Sequence, residues 1–155
     1  MENQNPNTNG IYIKASNELH TLEEWAKQAD PTTATSVVVI TDFASIEIAK
    51  DDLDGEFKFD DAQKACAAIG EGWRCPTRHE DIEMYDARFK GLGEALKLIG
   101  GTTLDENGWR WTCEADTDPE YSSSSAFFFN GSHGGVDNSS KYYSFSVRPV
   151  SDFKR

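Results

Sequence analysis

The three cysteines of this chain, Cys66, Cys75 and Cys113, are its clearest candidates for covalent or redox chemistry. A thiol becomes a nucleophile only when a neighbouring base or positive charge lowers its pKa. None of the three histidines stands at a spacing that indicates a cysteine–histidine pair, and no Cys-x-x-Cys spacing indicates zinc. We therefore predict no catalytic residue and no enzymatic activity.

An acidic loop at residues 114–120 is a second group with ligand chemistry. Glu114, Asp116, Asp118 and Glu120 place carboxylate oxygens at every second position, and hard cations such as Ca²⁺ accept oxygen ligands. The competing interpretation is a solvated acidic surface loop, which we favour. We therefore predict neither a metal site nor a cofactor.

The segment from Tyr121 to Ser146 has the composition of a binding face. Apart from Ala126, Val136 and Lys141, every residue in it is Ser, Tyr, Phe, Asn, Gly, His or Asp. Tyr and Phe supply rigid contact area, while Ser, Asn and Gly supply adaptable hydrogen bonding, as in antibody loops. The composition therefore predicts a folded surface that binds a ligand without changing it chemically.

Length and charge restrict the class of partner. The chain has 155 residues, 37% of them hydrophobic, which fits one domain with a modest core. Its net charge of −12 argues against nucleic acid and anionic membranes, since both bind clustered Lys and Arg. No apolar stretch fits a signal peptide or a membrane span. We expect no membrane insertion, and a protein that stays in a cytoplasm or leaves it within a particle.

Short elements are predicted in the first third of the chain. Residues 11–13 predict a strand, and Thr21 begins a helix with a capping-box-like start that must end before Pro31. The apolar run from Val37 to Ile40 predicts a buried strand, and residues 43–49 are its predicted partner.

Two helices with apolar stripes are predicted in the middle of the chain. The first spans residues 59–69 and stops at Gly70. The second begins after Pro76 with a Thr-x-x-Glu capping box, is interrupted at residues 91–93 and continues to Gly100. The residues predicted to face inward are Ala62, Ala65, Cys66 and Ile69 in the first helix, and Ile82, Tyr85, Phe89, Leu92, Leu96 and Ile99 in the second.

The C-terminal half of the sequence predicts β-structure. Strands are predicted at residues 109–113, 126–131 and 142–150, with turns at 107–108 and 134–135. The predicted tryptophan core consists of Trp73, Trp109 and Trp111. Helices followed by a hairpin-rich half predict an α+β fold.

Five short motifs occur in a set order along the chain. They are GWRCPTR at 72–78, WTCE at 111–114, an aromatic strand that leads to a Gly-x-Val sequence at 126–136, KY at 141–142 and VRPV at 147–150. This order resembles the C-type-lectin-like fold in its formylglycine-generating-enzyme branch. That branch includes bacterial and phage proteins, among them the variable proteins of diversity-generating retroelements. The resemblance implies a C-type-lectin-like α+β domain with two helices packed on irregular antiparallel sheets.

The resemblance also implies a division of the chain. Residues 36–155 would form the C-type-lectin-like domain, and residues 1–35 an N-terminal arm and short helix for attachment or oligomerisation. Residues 1–10 are polar, which predicts an arm that is flexible or ordered by a partner.

The chemistry of the resembled proteins is not carried over to this chain. The formylglycine-generating enzyme oxidises a substrate cysteine with a metal and its own C-terminal cysteines, where this chain has only Cys113. Calcium-dependent lectins bind sugars through Glu-Pro-Asn or Gln-Pro-Asp and Trp-Asn-Asp motifs, which this sequence lacks. Cys75 and Cys113 replace a Leu and a Ser of the motifs, and the sequence leaves open whether they are bonded or free.

The resemblance implies which residues of the binding segment contact a ligand. In the diversified relatives this stretch is rewritten at adenines of Asn codons, and its composition fits the reachable residues apart from Lys141. Motif matching places Phe127 and Phe129 in the fixed scaffold, and strand alternation turns the residues between them to the other face. The predicted ligand-binding residues are Phe128, Asn130, Ser132, His133, Asp137, Asn138, Ser139, Ser140, Tyr142, Tyr143 and Ser144. Ordinary polar surface loops remain the alternative interpretation.

We therefore expect a non-catalytic protein of a phage virion, a tail or head adhesin or decoration that presents this face to a protein or glycan of the host surface. The arm would bind other virion proteins, and display as a homo-oligomer would raise avidity. A purely structural capsid or tail protein without a ligand is the alternative hypothesis. An oxidoreductase of the formylglycine-generating type is the least favoured, and no nucleic-acid partner is expected.

Overall fold

Two antiparallel β-sheets and four α-helices form the part of the chain that the structure, a computed structural model, describes, namely residues 8–104 and 108–154. The helices are α1 (Leu22–Trp25), α2 (Phe59–Ala67), α3 (Arg78–Ala87) and α4 (Gly93–Leu98). The strands are β1 (Gly10–Ala15), β2 (Glu18–Thr21), β3 (Ser36–Ile40), β4 (Ser45–Ala49), β5 (Trp73–Arg74), β6 (Trp109–Ala115), β7 (Ser125–Asn130), β8 (Gly135–Ser140) and β9 (Val150–Asp152). The predicted α+β class is confirmed. None of the helices in these residues is long and apolar enough to cross a membrane.

The larger sheet has the strand order β2-β1-β3-β4-β9-β5, and every neighbouring pair is antiparallel. β3 is buried along its whole length, as predicted for the run from Val37 to Ile40. Val37 pairs with Ile13 of β1 on one side and with Ile48 of β4 on the other.

The position of β1 corrects the predicted division of the chain. The boundary predicted between residues 35 and 36 separates β1 from β3, which pair with each other, so β1 and β2 are strands of the main sheet and not part of a separate arm. Residues 1–7 of the predicted arm lie outside the described residues.

The main core fills the space between this sheet and the helices α3 and α4. Val37 and Val39 of β3 meet Leu92, Leu96 and Ile99, and all five side chains are fully buried. The predicted inward orientation of Leu92, Leu96 and Ile99 is therefore confirmed. Burial of one such side chain contributes about 1.5–3 kcal/mol relative to leaving it exposed.

The helix starts agree with their local sequence signals. The Thr21 hydroxyl accepts a hydrogen bond from the Glu24 amide at 3.2 Å, and the Thr77 hydroxyl accepts one from the Glu80 amide at 3.1 Å. The Glu80 carboxylate accepts the Thr77 amide in return at 2.9 Å, which completes the predicted capping box.

The helix α3 buries a different face from the predicted one. Ile82 and Phe89 are 43% and 77% exposed, whereas Met84 and Ala87 are buried. The buried face also contains the carboxyl of Asp81. The pattern of apolar residues did not predict this buried face of α3, because an aspartate occupies one of its positions.

The predicted interruption of the second helix is confirmed. Gly91 has φ of 118°, and a π-helical turn, Arg88–Leu92, joins α3 to α4. Glycine is the residue that adopts this conformation without strain. The helix α2 ends at Ala67, so Ile69 lies beyond it and is 45% exposed rather than part of its buried stripe.

The smaller sheet has the order β6-β7-β8, which confirms two of the three predicted C-terminal strands. Its third strand is β8, which was not predicted because its sequence is mostly polar and lacks alternating apolar residues. The strand predicted at 142–150 is wrong, since residues 142–149 form only isolated bridges, Phe57 with Phe145 and Arg110 with Ser146. This segment contacts Phe57 on one side and Arg110 on the other, and it forms no continuous ladder with either. Pro149 also has no N–H to donate to a ladder.

A second core lies beneath the smaller sheet. Trp111 and Phe128 pack there with Phe59 and Phe145, and Trp111 is fully buried. The prediction for Trp109 is wrong, because this side chain lies at the end of the sheet and is 48% exposed. Trp73, at the edge of the larger sheet, is only partly buried.

Candidate ligand-binding surface

Phe128 lies in the second core and not on the surface. It is 5% exposed, and its ring centroid lies 4.8 Å from that of Phe145 and 5.2 Å from that of Trp109. The opposite face of β7 is also covered, because Tyr85 of α3 packs on Phe129 at 5.4 Å. Both faces of β7 are covered at this point, so the predicted outward orientation of Phe128 is wrong, and the structure does not favour it as a ligand contact.

Asn130 builds the β7–β8 hairpin tip and is itself only 8% exposed, which corrects its predicted role as a ligand contact. Its side-chain oxygen accepts the Ser132 amide at 3.0 Å, and its carbonyl accepts the Gly134 amide at 2.9 Å. Gly134 has φ of 71°, and a Cβ there would lie 2.3 Å from the Tyr85 ring, so the turn requires glycine. The tip leaves Ser132 and His133 exposed.

The other predicted residues on β8 form the edge of the smaller sheet. Asp137 and Asn138 are exposed, and Ser139 and Ser140 are half-buried. The Asn138 side-chain amide donates to the Asp116 carboxylate at 2.9 Å. Asn138 of β8 therefore helps to hold the acidic loop in place.

The acidic loop directs its first two carboxylates at protein donors. Asp116 accepts the Asp118 amide at 3.0 Å, and this bond together with that from Asn138 lowers the pKa of Asp116. Burial raises the pKa of Glu114, but bonds from the amide and guanidinium of Arg78, at 2.7 and 3.2 Å, outweigh burial and lower it. Among residues 8–104 and 108–154, no three His, Cys, Asp or Glu side chains are grouped as metal ligands.

An exposed tryptophan lines a groove of about 340 Å³, which we call the Trp109 groove. The ring centroid of Trp109 lies 5.2 Å from that of Phe128 and 5.5 Å from that of Phe145, so buried rings hold the half-exposed indole in position. The other lining residues are Glu56, Gly108, Ser132, Ser144, Phe145 and Ser146. Two predicted ligand-binding residues, Ser132 and Ser144, are thus brought together here.

A second cavity, of about 300 Å³, contains a third predicted residue, Tyr142. We call this cavity the lysine pocket. It is lined by Lys58, Asp60, Asp61, Lys64, Ser123, Lys141 and Tyr142. Tyr142 is 77% exposed, and the ammonium nitrogen of Lys58 lies 6.0 Å from its ring centroid.

The two cavities are lined by the same pair of chain segments. Phe57 and Phe145 form an isolated antiparallel bridge, with backbone hydrogen bonds of 2.8 and 2.9 Å, and the Phe59 amide donates to the Lys141 carbonyl at 3.3 Å. Glu56 lines the Trp109 groove, and Lys58 lines the lysine pocket. Tyr143, which is 62% exposed, lies between the groove residue Ser144 and the pocket residue Tyr142 in the chain. We call the two cavities with Tyr143 the aromatic surface.

Two of the three cysteines lie in the interior, and Cys113 is partly buried. Cys66 and Cys75 are fully buried with their sulfurs 3.5 Å apart, and all three cysteines are free thiols in the structure. The hydrogen bond to Cys66 and burial both raise the pKa of the Cys75 thiol. Burial also raises the pKa of Cys113, whose amide donates to the Pro76 carbonyl at 2.8 Å. Protonated thiols of this kind are poor nucleophiles at neutral pH.

Sequence reasoning missed part of the aromatic surface. It placed Trp109 in the core and did not include Glu56, Lys58 or Lys64. The Asn-Gly sequence immediately before Trp109 was a usable signal, because a residue that follows a predicted turn lies at the end of its strand. Asn107 of this predicted turn lies outside the described residues. No local signal indicated that residues 56–58 pair with residues 141–146, which are distant in the sequence.

Comparisons with family models and with curated proteins identified no relative of this chain. No family model matches the chain, and no curated protein matches it in sequence.

Proposed function

We propose that this chain is a non-catalytic binding protein of a phage virion, and that its aromatic surface contacts a protein or glycan on the host cell. The observation that carries the proposal is the exposure of Trp109, Tyr142 and Tyr143, at 48%, 77% and 62%, of which Trp109 and Tyr142 each line a cavity. The motif order between residues 72 and 150 supports a C-type-lectin-like fold and the phage setting.

The physical character of the surface suits recognition. Removing an exposed aromatic ring from water is favourable when a ligand covers it. Rigid rings also lose little conformational entropy on binding. Ser132, Ser144 and Ser146 line the same groove as Trp109, and serine hydroxyls can donate and accept hydrogen bonds. Binding by one open surface is weak, so we propose display of several copies on the particle, as a homo-oligomer or an array.

The described chemistry favours binding over catalysis. The pKa values of Cys75 and Cys113 are raised, which keeps both thiols protonated near neutral pH. The carboxylates of Glu80 and Glu114 are engaged by Arg74 and Arg78. None of these groups combines exposure with the pKa that a nucleophile or general base requires.

A structural role without a ligand is the second candidate, and two further exposed phenylalanines favour it. Phe43 and Phe89 are 75% and 77% exposed and line neither cavity of the aromatic surface. Contact with another virion protein would bury these two rings.

The two functions differ in which aromatic pair they need. Oligomer-displayed protein carrying Tyr142→Ala and Tyr143→Ala should lose at least about tenfold in binding to susceptible bacterial cells, equivalent to about 1.4 kcal/mol. The matched control carries Phe43→Ala and Phe89→Ala and should bind cells like the unmodified protein. Loss of cell binding only in the phenylalanine variant would contradict the proposal, as would equal binding by all three proteins.

A further inference from the structure

The lysine pocket gathers positive charge on a strongly acidic protein. The chain has a net charge of −12 and 15 Lys and Arg in all, yet Lys58, Lys64 and Lys141 line the same cavity of about 300 Å³. Within the described part of the chain, none of these three ammonium groups has a carboxylate oxygen within 4.0 Å. Among the described residues, the three ammonium groups of this pocket are therefore not engaged in ion pairs.

Backbone hydrogen bonds fix the segments that carry these lysines. The Phe59 amide donates to the Lys141 carbonyl at 3.3 Å, and the Lys141 amide donates to the Ser124 carbonyl at 2.9 Å. The start of α2, the loop before β7 and the segment after β8 therefore meet at Lys141.

Aromatic rings restrict two of the ammonium groups. The Lys141 nitrogen lies 5.2 Å from the centroid of Phe59, and the Lys58 nitrogen lies 6.0 Å from that of Tyr142. Cation–π attraction and burial of the methylene stems both favour these positions. The charges are thus partly positioned before a ligand arrives, which reduces the entropy lost on binding.

The remaining lining residues restrict the class of anion. Asp60 and Asp61 repel any anion in this pocket, and they repel a phosphate or sulfate dianion more strongly than a singly charged carboxylate. Carboxylates accept hydrogen bonds from hydroxyl groups, and the Ser123 hydroxyl can donate or accept. The exposed face of Tyr142 can pack against an apolar CH surface. One carboxylate, several hydroxyls and an apolar ring face occur together in an acidic sugar.

We propose that the lysine pocket binds an acidic sugar residue of a glycan. Its carboxylate lies among Lys58, Lys64 and Lys141, its hydroxyls donate to Asp60 and Asp61, and its ring packs on Tyr142. This inference rests on the proposed function as a ligand-binding surface and names the ligand class.

The experiment compares two trisaccharides that share the same sugar backbone and differ only at their carboxyl groups, which are ionised in one and methyl-esterified in the other. Isotope-labelled protein is titrated with trigalacturonic acid and with its fully methyl-esterified form, and amide signals are followed by NMR. The acid should shift signals of residues 58–64 and 141–143, and the ester should bind at least about tenfold more weakly. A trimer of sialic acid, titrated in parallel, distinguishes a uronic acid from a nine-carbon acidic sugar as the source of the carboxylate.

Charge-removing variants connect the binding to the pocket. Lys58→Gln and Lys141→Gln keep most of the side-chain stem, and each should weaken acid binding by about fivefold to tenfold. Lys27→Gln is the control, since Lys27 is an exposed lysine outside the pocket, and it should leave the affinity unchanged. Raising the salt concentration should weaken acid binding, because charges at an open site are screened.

The proposal is overturned if neither acidic trimer binds, if acid and ester bind equally, or if Lys27→Gln weakens binding as much as Lys58→Gln. Its failure is distinguishable from failure of the proposed function. If no acidic trimer binds but the two tyrosines are still needed for cell binding, the surface is an adhesin for another ligand. If the acid binds through the lysines but cells bind the tyrosine variant normally, the sugar site stands and host adhesion through this surface does not.

Discussion

The Nε atom of Arg148 donates to the Oδ1 atom of Asp52 at 2.8 Å, although the two residues are far apart in the sequence. The Arg148 side chain is fully buried, and it also donates to the carbonyls of Ala49 and Thr102 at 3.3 and 2.7 Å. Arg110 donates to the same carboxylate at 3.0 Å. A single carboxylate therefore joins the end of the larger sheet to the smaller sheet.

We predict that Asp52→Asn destabilises the protein by about 3–5 kcal/mol, because it leaves two buried guanidinium groups without a counter-charge. Urea unfolding monitored by tryptophan fluorescence measures the change. Asp54→Asn, at an exposed position of the same turn, is the control and should change stability by less than about 0.5 kcal/mol. Equal midpoints for the two variants would show that Asp52 does not connect the sheets.

Phe128→Ala should destabilise the protein by about 3–5 kcal/mol, because it removes a ring from the second core and leaves a cavity beside Trp111 and Phe145. Tyr143→Ala, at an exposed aromatic of the same segment, should change the unfolding free energy by less than about 0.5 kcal/mol. Urea unfolding of both variants tests the placement. A stable Phe128→Ala protein that loses ligand binding would instead support Phe128 as a contact residue.

Asp81 should make stability fall as the pH rises above the acid range. Complete burial raises its pKa well above the ordinary value, the charge of Arg110 opposes this, and Glu80 and Glu114 add to the rise. One of its oxygens, Oδ2, has no hydrogen-bond partner in the structure. A carboxyl with a raised folded pKa binds its proton more tightly when folded, so stability is lost from about pH 4, the unfolded pKa, up to the folded pKa.

Asp81→Asn should therefore be more stable than the unmodified protein at pH 7, by about 1–3 kcal/mol, and this difference should shrink towards pH 4. Thermal unfolding at intervals from pH 4 to pH 8 measures it. Asp86→Asn, on the exposed side of α3, is the control and should leave the pH profile unchanged. A constant difference across the pH range would mean that Asp81 is charged in the folded protein.

The thiols should differ in their reactivity towards an aromatic disulfide reagent. Cys66 and Cys75 are fully buried, so only Cys113 should react in the folded protein, and all three should react in urea. The rate at Cys113 should keep rising at pH values above about 8.5, the ordinary thiol pKa, because burial raises its own pKa. Cys113→Ser should abolish the reaction of the folded protein. Fast labelling that persists in this variant would show that the Cys66–Cys75 region opens readily.

Local signals in the sequence predicted the elements whose cause is local. The capping box of Thr77 and Glu80, the break at Gly91 and the buried run from Val37 to Ile40 depend on residues within about four positions of one another. The same signals predicted an α+β class and the strands β6 and β7, because alternating apolar residues and turn residues act over similarly short distances.

The composition of the sequence by itself also determined that residues 121–146 are rich in aromatic and hydroxyl side chains, but not which of them reach the surface. Tertiary structure decided that Phe128 is buried and Trp109 half-exposed, because β7 is covered on both faces whereas Trp109 lies at the end of its sheet. It also decided that Lys58 and Lys141 line the same cavity, since the Phe57–Phe145 bridge and the hydrogen bond from Phe59 to Lys141 bring their segments together. Exposure and proximity are properties of the whole packed chain, and local sequence patterns carry no information about which distant segment will cover a given face.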